Sequence, residues 1–293
     1  MSTRVSTASG TSDWELVVDG IDFGEGPRWH LGRLWFSDFY QGTISSVGHD
    51  HQRRVEVEWD GRPSGLGWLP DGRLLFVSML DRRVMRRETD GTIVEHAELD
   101  GIATGHCNDM VVGPQGIAYV GNFGFDFERG DEPAPATLAI VWADGTVTAA
   151  ADDLLFPNGS VITDDGSTLI VGESMGARYT AFTITHDWGL TNRRIWAEVP
   201  GMAPDGCTID AEGAIWFADA LGKQVVRVRE GGEITDQLPT PDNVYACMLG
   251  GPDARTLFAL TAAGSHPDVV AGTATGALWQ LDVAVRRTPT SRP

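Results

Sequence analysis

The segment 201-GMAPDGCTIDAEGAIWFADA-220 contains two clusters of turn-forming residues, PDG at 204–206 and DAEG at 210–213. A single hairpin needs only one turn. The second cluster leads into the apolar and aromatic run AIWFA at 214–218, which is typical of a β-strand. The first cluster, with Asp205 at its centre, therefore needs a different explanation.

The arrangement of a turn residue followed by a short apolar strand occurs six times along the chain. The turn residues are Gly32, Gly72, Gly116, Gly166, Gly213 and Ala254, and successive ones are separated by 40 to 50 residues. A period of this length, with several short strands in each unit, is typical of propeller blades. No stretch shows convincing helical periodicity. The sequence therefore predicts an all-β fold, a six-bladed β-propeller of four-stranded antiparallel blades.

The predicted propeller spans residues 14–283. The early run 14–18 has no partner strand nearby in the sequence, so we expect it to complete the last blade, which would remove exposed edges. The flanking segments are polar and rich in Ser, Thr and Arg. They predict a disordered N-terminal segment at 1–13 and a flexible C-terminal tail at 284–293.

Composition narrows the class of partner. Acidic residues number 41 and basic residues 22, giving a formal charge of −19, so nucleic acid is not an expected partner. No run approaches the roughly 18 apolar residues of a membrane span, and the N-terminus lacks the apolar core of a signal peptide. We expect a soluble cytoplasmic protein that acts on a small molecule, without a membrane partner. The sequence carries no signal for an oligomeric state.

The leftover residue Asp205 gains a role when the repeats are aligned. Eight residues before each turn residue, or seven in the first repeat, stand Glu25, Ser64, Asn108, Asn158, Asp205 and Ala246. The innermost strands of a propeller run side by side around a channel, so equivalent starting positions face one another. The alignment predicts a ring of oxygen donors made by Glu25, Asn108, Asn158 and Asp205.

A second PDG, at 70–72, serves as an internal control. It stands at the hairpin turn itself, eight residues out of register with Asp205, so we expect no site role for Asp71. Two carboxylates and two amides that converge would repel one another or lack partners without a cation or ordered water. A set of donors that are all oxygen atoms suits a hard ion such as calcium or magnesium. Because two of the four donors are amides, calcium is favoured.

At these residues the sequence resembles the senescence marker protein/gluconolactonase family of six-bladed propellers, and more remotely diisopropylfluorophosphatase. The shared motifs are GEGP at 24–27, ND at 108–109 followed by GPQG at 113–116, FPNG at 156–159, PDG at 204–206 and CMLGGPD at 247–253. The resemblance implies a divalent metal, usually calcium but also zinc, magnesium or manganese, held by Glu25, Asn158 and Asp205. It places Asn108 beside the metal, in contact with substrate or bound water. The implied activity is mostly lactone hydrolysis, with phosphotriester hydrolysis in some relatives.

One departure from the family concerns His106. Sugar-lactone members tend to carry Arg two residues before the Asn-Asp pair, where this chain has His106. His106 is a candidate for substrate binding and the second candidate for a base; the alternative is a hydrogen-bonded wall residue. Asn122 is a further candidate for substrate binding, although it ends a strand expected to lead toward the opposite end of the channel or the next loop. Phe123, Phe125 and Phe127 either line an apolar substrate wall or pack their own loop.

The predicted function is metal-dependent hydrolysis of a lactone. Asp205 is the first candidate for the base that accepts a proton from the attacking water, and Asn108 would orient the substrate. The alternatives are a phosphotriesterase of the same fold and a non-catalytic binding propeller with a structural metal.

Overall fold

The strands within residues 13–288 form six sheets of four antiparallel strands each. A computed structural model describes residues 13–288; residues 1–12 and 289–293, which include most of the predicted disordered segment and half of the predicted tail, lie outside the described residues. The innermost strands of neighbouring sheets contact one another around a central channel. The predicted six-bladed propeller is confirmed.

Within each blade the four strands follow one another from the channel outward. Blade 1 contains β2 (Gly24–His30), β3 (Arg33–Asp38), β4 (Thr43–Val47) and β5 (Arg53–Glu58), and blade 2 contains β6 (Pro63–Trp68), β7 (Leu74–Ser78), β8 (Arg83–Arg87) and β9 (Ile93–Glu98). Blade 3 contains β10 (Cys107–Val112), β11 (Ala118–Asn122), β12 (Ala136–Val141) and β13 (Val147–Leu154), and blade 4 contains β14 (Pro157–Ile162), β15 (Thr168–Glu173), β16 (Arg178–Ile184) and β17 (Leu190–Glu198). Blade 5 contains β18 (Pro204–Ile209), β19 (Ile215–Asp219), β20 (Gln224–Val228) and β21 (Ile234–Pro239), and blade 6 contains β22 (Asn243–Gly250), β23 (Thr256–Ala262), β24 (Gly276–Asp282) and β1 (Glu15–Ile21). The short helix α1 (Pro267–Val270) lies in the loop between β23 and β24.

The first strand of the chain closes the circle. β1 pairs antiparallel with β24, and Glu15 lies opposite Gln280 while Leu16 lies opposite Trp279. Blade 6 is therefore built from both ends of the chain, as the unpaired early run predicted. Because the blades close on each other, the innermost strands have neighbours on both sides.

Each predicted turn residue precedes the second strand of a blade, and Gly213 illustrates why. The Gly213 amide donates to the Asp210 carbonyl oxygen over 3.0 Å, which closes the turn between β18 and β19. Gly213 has a φ of +75°, a left-handed conformation that is costly for residues with a Cβ. The Asp210 carboxylate supports the turn by accepting from the Glu212 and Ala214 amides.

The core lies between the faces of neighbouring blades. Between blades 4 and 5, for example, Ile170 and Tyr179 pack with Cys207, Ile215 and Phe217, and all five are at most 4% exposed. The three cysteines, Cys107, Cys207 and Cys247, are buried and free of disulfides. Burial of apolar faces between blades supplies the main stabilisation of each strand pair.

The end of the chain is described as far as residue 288. The Arg287 amide donates to the Ala254 carbonyl oxygen over 2.7 Å, and Arg287 also forms a β-bridge with Asp210. Ala254 and Asp210 belong to turns that follow the innermost strands, so this part of the segment 284–293 lies at the end of the channel where those strands finish. No helix within residues 13–288 is long and apolar enough to cross a membrane.

We predict that Gly213→Ala lowers the free energy of unfolding by about 1 kcal/mol, because alanine strains the left-handed turn. A Cβ added at Gly213 meets no atom within 4 Å, so the change isolates the backbone cost. Gly101→Ala is the matched control, since that position has equal space and no left-handed φ. Urea unfolding of both variants measures the difference, and equal effects would contradict this account of the turn.

Candidate functional site

The four predicted donors line one cavity at the end of the channel where the innermost strands begin. Glu25, Asn108, Asn158 and Asp205 are the second residues of β2, β10, β14 and β18, and each is at most 8% exposed. The cavity has a volume of about 590 Å³. We refer to these four residues as the oxygen ring.

The other two blades contribute differently to the same cavity. Ser64 is the second residue of β6 and lines the cavity as its register predicts. In blade 6 the register shifts between Val244 and Ala246, and the cavity is lined by Tyr245. Five of the six aligned positions therefore line the cavity. At the sixth, an irregularity in β22 places Tyr245 on the cavity instead of Ala246.

The ring residues converge because a small residue follows most of them. A Cβ added at Gly206 would lie 2.7 Å from the Ala246 Cβ, and one added at Gly159 would lie 2.7 Å from the Cys207 amide nitrogen. Glycine at these positions lets neighbouring innermost strands approach backbone to backbone. The PDG at 204–206 therefore combines a cavity-facing carboxylate with a close interstrand contact.

The control copy of this motif behaves as a turn. Gly72 has a φ of +88°, and exposed Asp71 accepts from the Arg73 amide and guanidinium. The tripeptide PDG therefore has two structural roles in this chain, and its position in the repeat determines which role it has.

Two buried oxygens of the ring have no hydrogen-bond partner: Asn108 Oδ1 and Asp205 Oδ1. The Asn108 amide nitrogen donates to the Pro157 carbonyl oxygen over 3.1 Å, and the Asn158 amide nitrogen donates to Ser174 Oγ over 3.3 Å. Both amides are thus held through their nitrogens. Buried acceptors without a donor are unfavourable, so these oxygens are suited to a bound cation or donor group.

The carboxylates of the ring are electrostatically strained. Burial raises the pKa of Glu25 well above its usual range, and repulsion from Asp205 and Asp109 raises it further. Burial likewise raises the pKa of Asp205, with Asp109 adding to the effect. A positive charge at the ring would relieve both effects.

A buried ion pair beneath the ring was not predicted. Arg28 Nη2 donates to Asp109 Oδ1 over 2.8 Å, and both side chains are at most 5% exposed. Asp109 lines the cavity, whereas Arg28 lines a small pocket farther along the channel. Asp109 is part of the family motif at 108–109. The sequence contains no signal that Asp109 pairs with Arg28, which is 81 residues away.

His106 lies near the cavity but does not line it. Its ring centroid is 6.2 Å from that of Phe123, its Nδ1 is buried without a hydrogen-bond partner, and it is not among the residues that line the cavity. Burial lowers the pKa of His106, against the opposing effect of Glu128 and Asp126. The imidazole is therefore neutral near pH 7, but Phe123 and not His106 contacts the cavity space.

Asn122 lies at the same end of the channel as the ring, contrary to expectation. Antiparallel pairing sets Asn122 opposite Cys107, the residue before Asn108. Its Nδ2 donates to the Thr137 carbonyl oxygen and its Oδ1 accepts from the Gly124 amide. Asn122 does not line the cavity. Its amide instead joins the loop at Gly124 to Thr137 of β12.

Aromatic side chains form much of the cavity wall. Phe123 and Phe127 line the cavity, as one of the two interpretations of this loop predicted, while Phe125 packs against Phe127 and is 7% exposed. A second group on the wall was not predicted: Phe23, Phe39, Tyr40 and Tyr245. These residues lie in or beside irregular segments outside the repeat register, so periodicity gave no signal for them.

The oxygen ring differs from metal sites that are built from three or more His, Cys, Asp or Glu side chains. Within residues 13–288, no group of three or more His, Cys, Asp or Glu side chains is arranged to hold a metal ion. The ring supplies two carboxylates and two amide oxygens, and amide oxygens are ordinary ligands for calcium. Its unpartnered buried oxygens and crowded negative charge fit such an ion.

We predict that protons stabilise the cation-free protein through Glu25. Because folding raises the pKa of Glu25 and Asp205, their contribution to stability is greatest below the unfolded values of 4.5 and 3.8 and is lost as pH rises through the folded values. In the presence of chelator, the Glu25→Gln variant should therefore have a larger free energy of unfolding than wild type at pH 8. The difference between the two proteins should become smaller toward pH 4.5. Urea unfolding across this range measures it.

The control for this experiment is Glu132→Gln, since Glu132 is exposed. A constant difference between Glu25→Gln and wild type at every pH would contradict the strain assigned to the ring.

Known proteins share this architecture. Residues 23–263 match the model of the SMP-30/Gluconolactonase/LRE-like region. The chain is similar to pentonolactonase XacC of Haloferax volcanii, with 30% identity over 293 residues that cover 94% of this chain and 96% of the relative.

Two solved structures share the fold. A luciferin-regenerating enzyme superposes with a TM-score of 0.81 at 20% identity, covering 96% of this chain and 99% of its own. The calcium-binding protein regucalcin from Agrobacterium tumefaciens superposes with a TM-score of 0.80 at 22% identity, covering 94% of this chain and 96% of its own. At these identities the likeness concerns the fold alone.

Proposed function

The chain belongs to the SMP-30/Gluconolactonase/LRE-like family, and we propose that it hydrolyses a lactone to the corresponding hydroxy acid with the help of a divalent cation held in the oxygen ring. The observation that carries this proposal is the set of four converging oxygen donors, two of them buried and unpartnered, at the base of a substrate-sized cavity. The name of the pentonolactonase, similar over almost its whole length, supports the class of substrate.

The residues that would hold the cation are Glu25, Asn108, Asn158 and Asp205. Oxygen-only donors with an amide share favour calcium, and the calcium-binding description of the similar regucalcin structure supports this choice. When bound, the cation would keep both carboxylates charged and polarise the lactone carbonyl. Four protein donors leave coordination positions open on an ion that prefers six to eight ligands.

Asp205 is the group best placed to move a proton. Asp205 lines the cavity and its Oδ1 is buried without a partner, so this carboxylate can accept a proton from a water held at the ring. The water oxygen forms a bond to the carbonyl carbon, the ring C–O bond breaks, and the proton passes to the departing alkoxide. One water is consumed, and the products are a carboxylic acid and a hydroxyl on the same molecule.

Asn108 offers an acceptor to the cavity. Its nitrogen donates to the Pro157 carbonyl oxygen, and its Oδ1 is buried without a partner. That oxygen suits a cation or the O–H of a water or substrate hydroxyl. Asn108 would therefore orient the attacking water or a substrate hydroxyl through Oδ1.

We predict that Asp205→Asn lowers kcat for lactone hydrolysis by about 10²- to 10⁴-fold, because it removes the proton acceptor and retains an oxygen donor. The measurement is acid release under saturating calcium, with bound calcium determined independently. His106→Gln should cost less, because His106 does not line the cavity.

Three results of this experiment are decisive. Full activity in calcium-loaded Asp205→Asn would reject Asp205 as the base. Wild-type turnover of phosphotriesters without lactones would favour the phosphotriesterase alternative. Calcium binding without turnover of lactones, esters or phosphotriesters would favour a binding propeller with a structural ion.

We also predict that calcium stabilises the protein through the ring. A ligand that binds only the folded state at 100 times its dissociation constant adds about 2.7 kcal/mol to the free energy of unfolding. Thermal melting with calcium and with chelator measures the effect, and Asn158→Leu should abolish most of it. Identical melting in calcium and chelator would show that the ring does not bind the ion.

A further inference from the structure

Two aromatic walls stand on opposite sides of the cavity. The first contains Phe23, Phe39, Tyr40 and Tyr245 from blades 6 and 1, and the Phe23 centroid lies 4.7 Å from that of Tyr245 and 5.1 Å from that of Phe39. The second contains Phe123, Phe127 and Phe156, which precede or follow strands of blades 3 and 4. In a six-bladed circle, blades 6 and 1 face blades 3 and 4, so the cavity lies between the walls.

The second wall presents rigid ring surfaces. Phe123 and Phe156 stack with centroids 4.4 Å apart and an interplanar angle of 14°, and Phe127 packs against both at about 6 Å. Aromatic rings favour offset stacking or edge-to-face contact with another ring. The walls are thus suited to a flat apolar group.

The walls carry no free charge. Among described residues that line the cavity, the charged ones outside Asp109 and the ring are Arg62 and Glu128, and these pair with each other. The Arg62 guanidinium also lies over the Tyr40 ring, 5.1 Å from its centroid. A polyhydroxylated lactone would need a polar partner for each buried hydroxyl. Ser64, Ser174 and Ser265 line other parts of the cavity, but the aromatic side chains of the two walls provide few such partners.

The tyrosine hydroxyls of the first wall are also engaged. Tyr40 Oη donates to the Ser265 carbonyl oxygen over 2.8 Å, and the Tyr245 hydroxyl interacts with the Ser265 side chain. Both tyrosines therefore present mainly their rings to the cavity.

Apolar surface continues from the cavity to its rim. Leu221 is 77% exposed, Met175 is 45% exposed and Phe127 is 38% exposed, and all three line the cavity. Met79 and Met202 also line it, and methionine adapts to apolar ligands of varied shape. Exposed apolar side chains grouped around a cavity are typical of ligand-binding surfaces.

We infer that the substrate is a lactone bearing an apolar substituent the size of an aromatic ring or larger, with the lactone at the oxygen ring and the substituent between the aromatic walls. This inference rests on the proposed lactone hydrolysis. The cavity of about 590 Å³ is far larger than an unsubstituted lactone ring and lies within the roughly 300–1,000 Å³ typical of sites for larger organic ligands.

The test compares four lactones on the calcium-loaded protein: γ-butyrolactone, γ-phenyl-γ-butyrolactone, a γ-alkyl lactone with a five-carbon chain, and a pentonolactone. We expect kcat/KM for the phenyl lactone to exceed that for γ-butyrolactone by about 10- to 100-fold, since burial of a large apolar group is worth roughly 1.5–3 kcal/mol. Preference for the phenyl over the alkyl lactone would support ring stacking as the source, and equal preference would support apolar burial alone.

Variants of the wall provide the second measurement. Phe127→Ala should reduce the ratio of kcat/KM between phenyl and unsubstituted lactones by about 5- to 10-fold, mainly through KM. Ile195→Ala is the matched control, because Ile195 is 53% exposed on β17, the outermost strand of blade 4. It should leave the ratio unchanged, and thermal melting should show both variants folded.

The outcomes separate the two proposals. Faster hydrolysis of the pentonolactone than of both apolar lactones would overturn this inference and leave lactone hydrolysis intact. An unchanged ratio in Phe127→Ala, together with a ratio near one in wild type, would also overturn it. Hydrolysis of none of the four lactones would overturn both proposals.

Discussion

The close approach of neighbouring innermost strands is the constraint on which the rest of the structure depends. Where Gly159 and Gly206 stand, the space that a Cβ would occupy is taken by the backbone or Cβ of the next blade. The contact narrows the channel and brings the residue before each glycine, Asn158 or Asp205, to its mouth. Packing of the backbone thus determines where the polar chemistry is concentrated, and larger residues at these glycines would separate the donors before they altered the outer strands.

The cavity combines two environments that a single strand pattern could not supply. Its base is acidic and buried, with Glu25, Asp205 and Asp109 close enough to raise the pKa values of the first two, and Arg28 offsets Asp109 from below. Its sides are apolar and aromatic. A low-polarity wall next to charged donors strengthens electrostatic interactions at the base, because less water screens them.

The sequence predicted those features that repeat. Six turn residues at similar spacing gave the blades, and a constant offset from them gave the oxygen ring. The offset failed at Ala246, because an irregularity in β22 puts Tyr245 on the cavity instead. Asn122 was expected away from the ring. It lies at the same end as the ring because β11 runs antiparallel to β10, so the end of β11 returns to the start of β10. The aromatic walls and the Arg28–Asp109 pair join loops and strands distant in sequence, and such contacts have no period to detect.

Closure of the circle by β1 has a consequence for synthesis of the chain. All four ring residues have been synthesised once Asp205 has been added to the chain, yet blade 6, which supplies none of them, is completed only when β24 pairs with β1. Before β22 is made, the innermost strands of blades 1 and 5 lack the neighbour that it provides. A growing chain therefore holds all four ring residues before it has the circular support that positions them, and the ring is assembled only with the last strands.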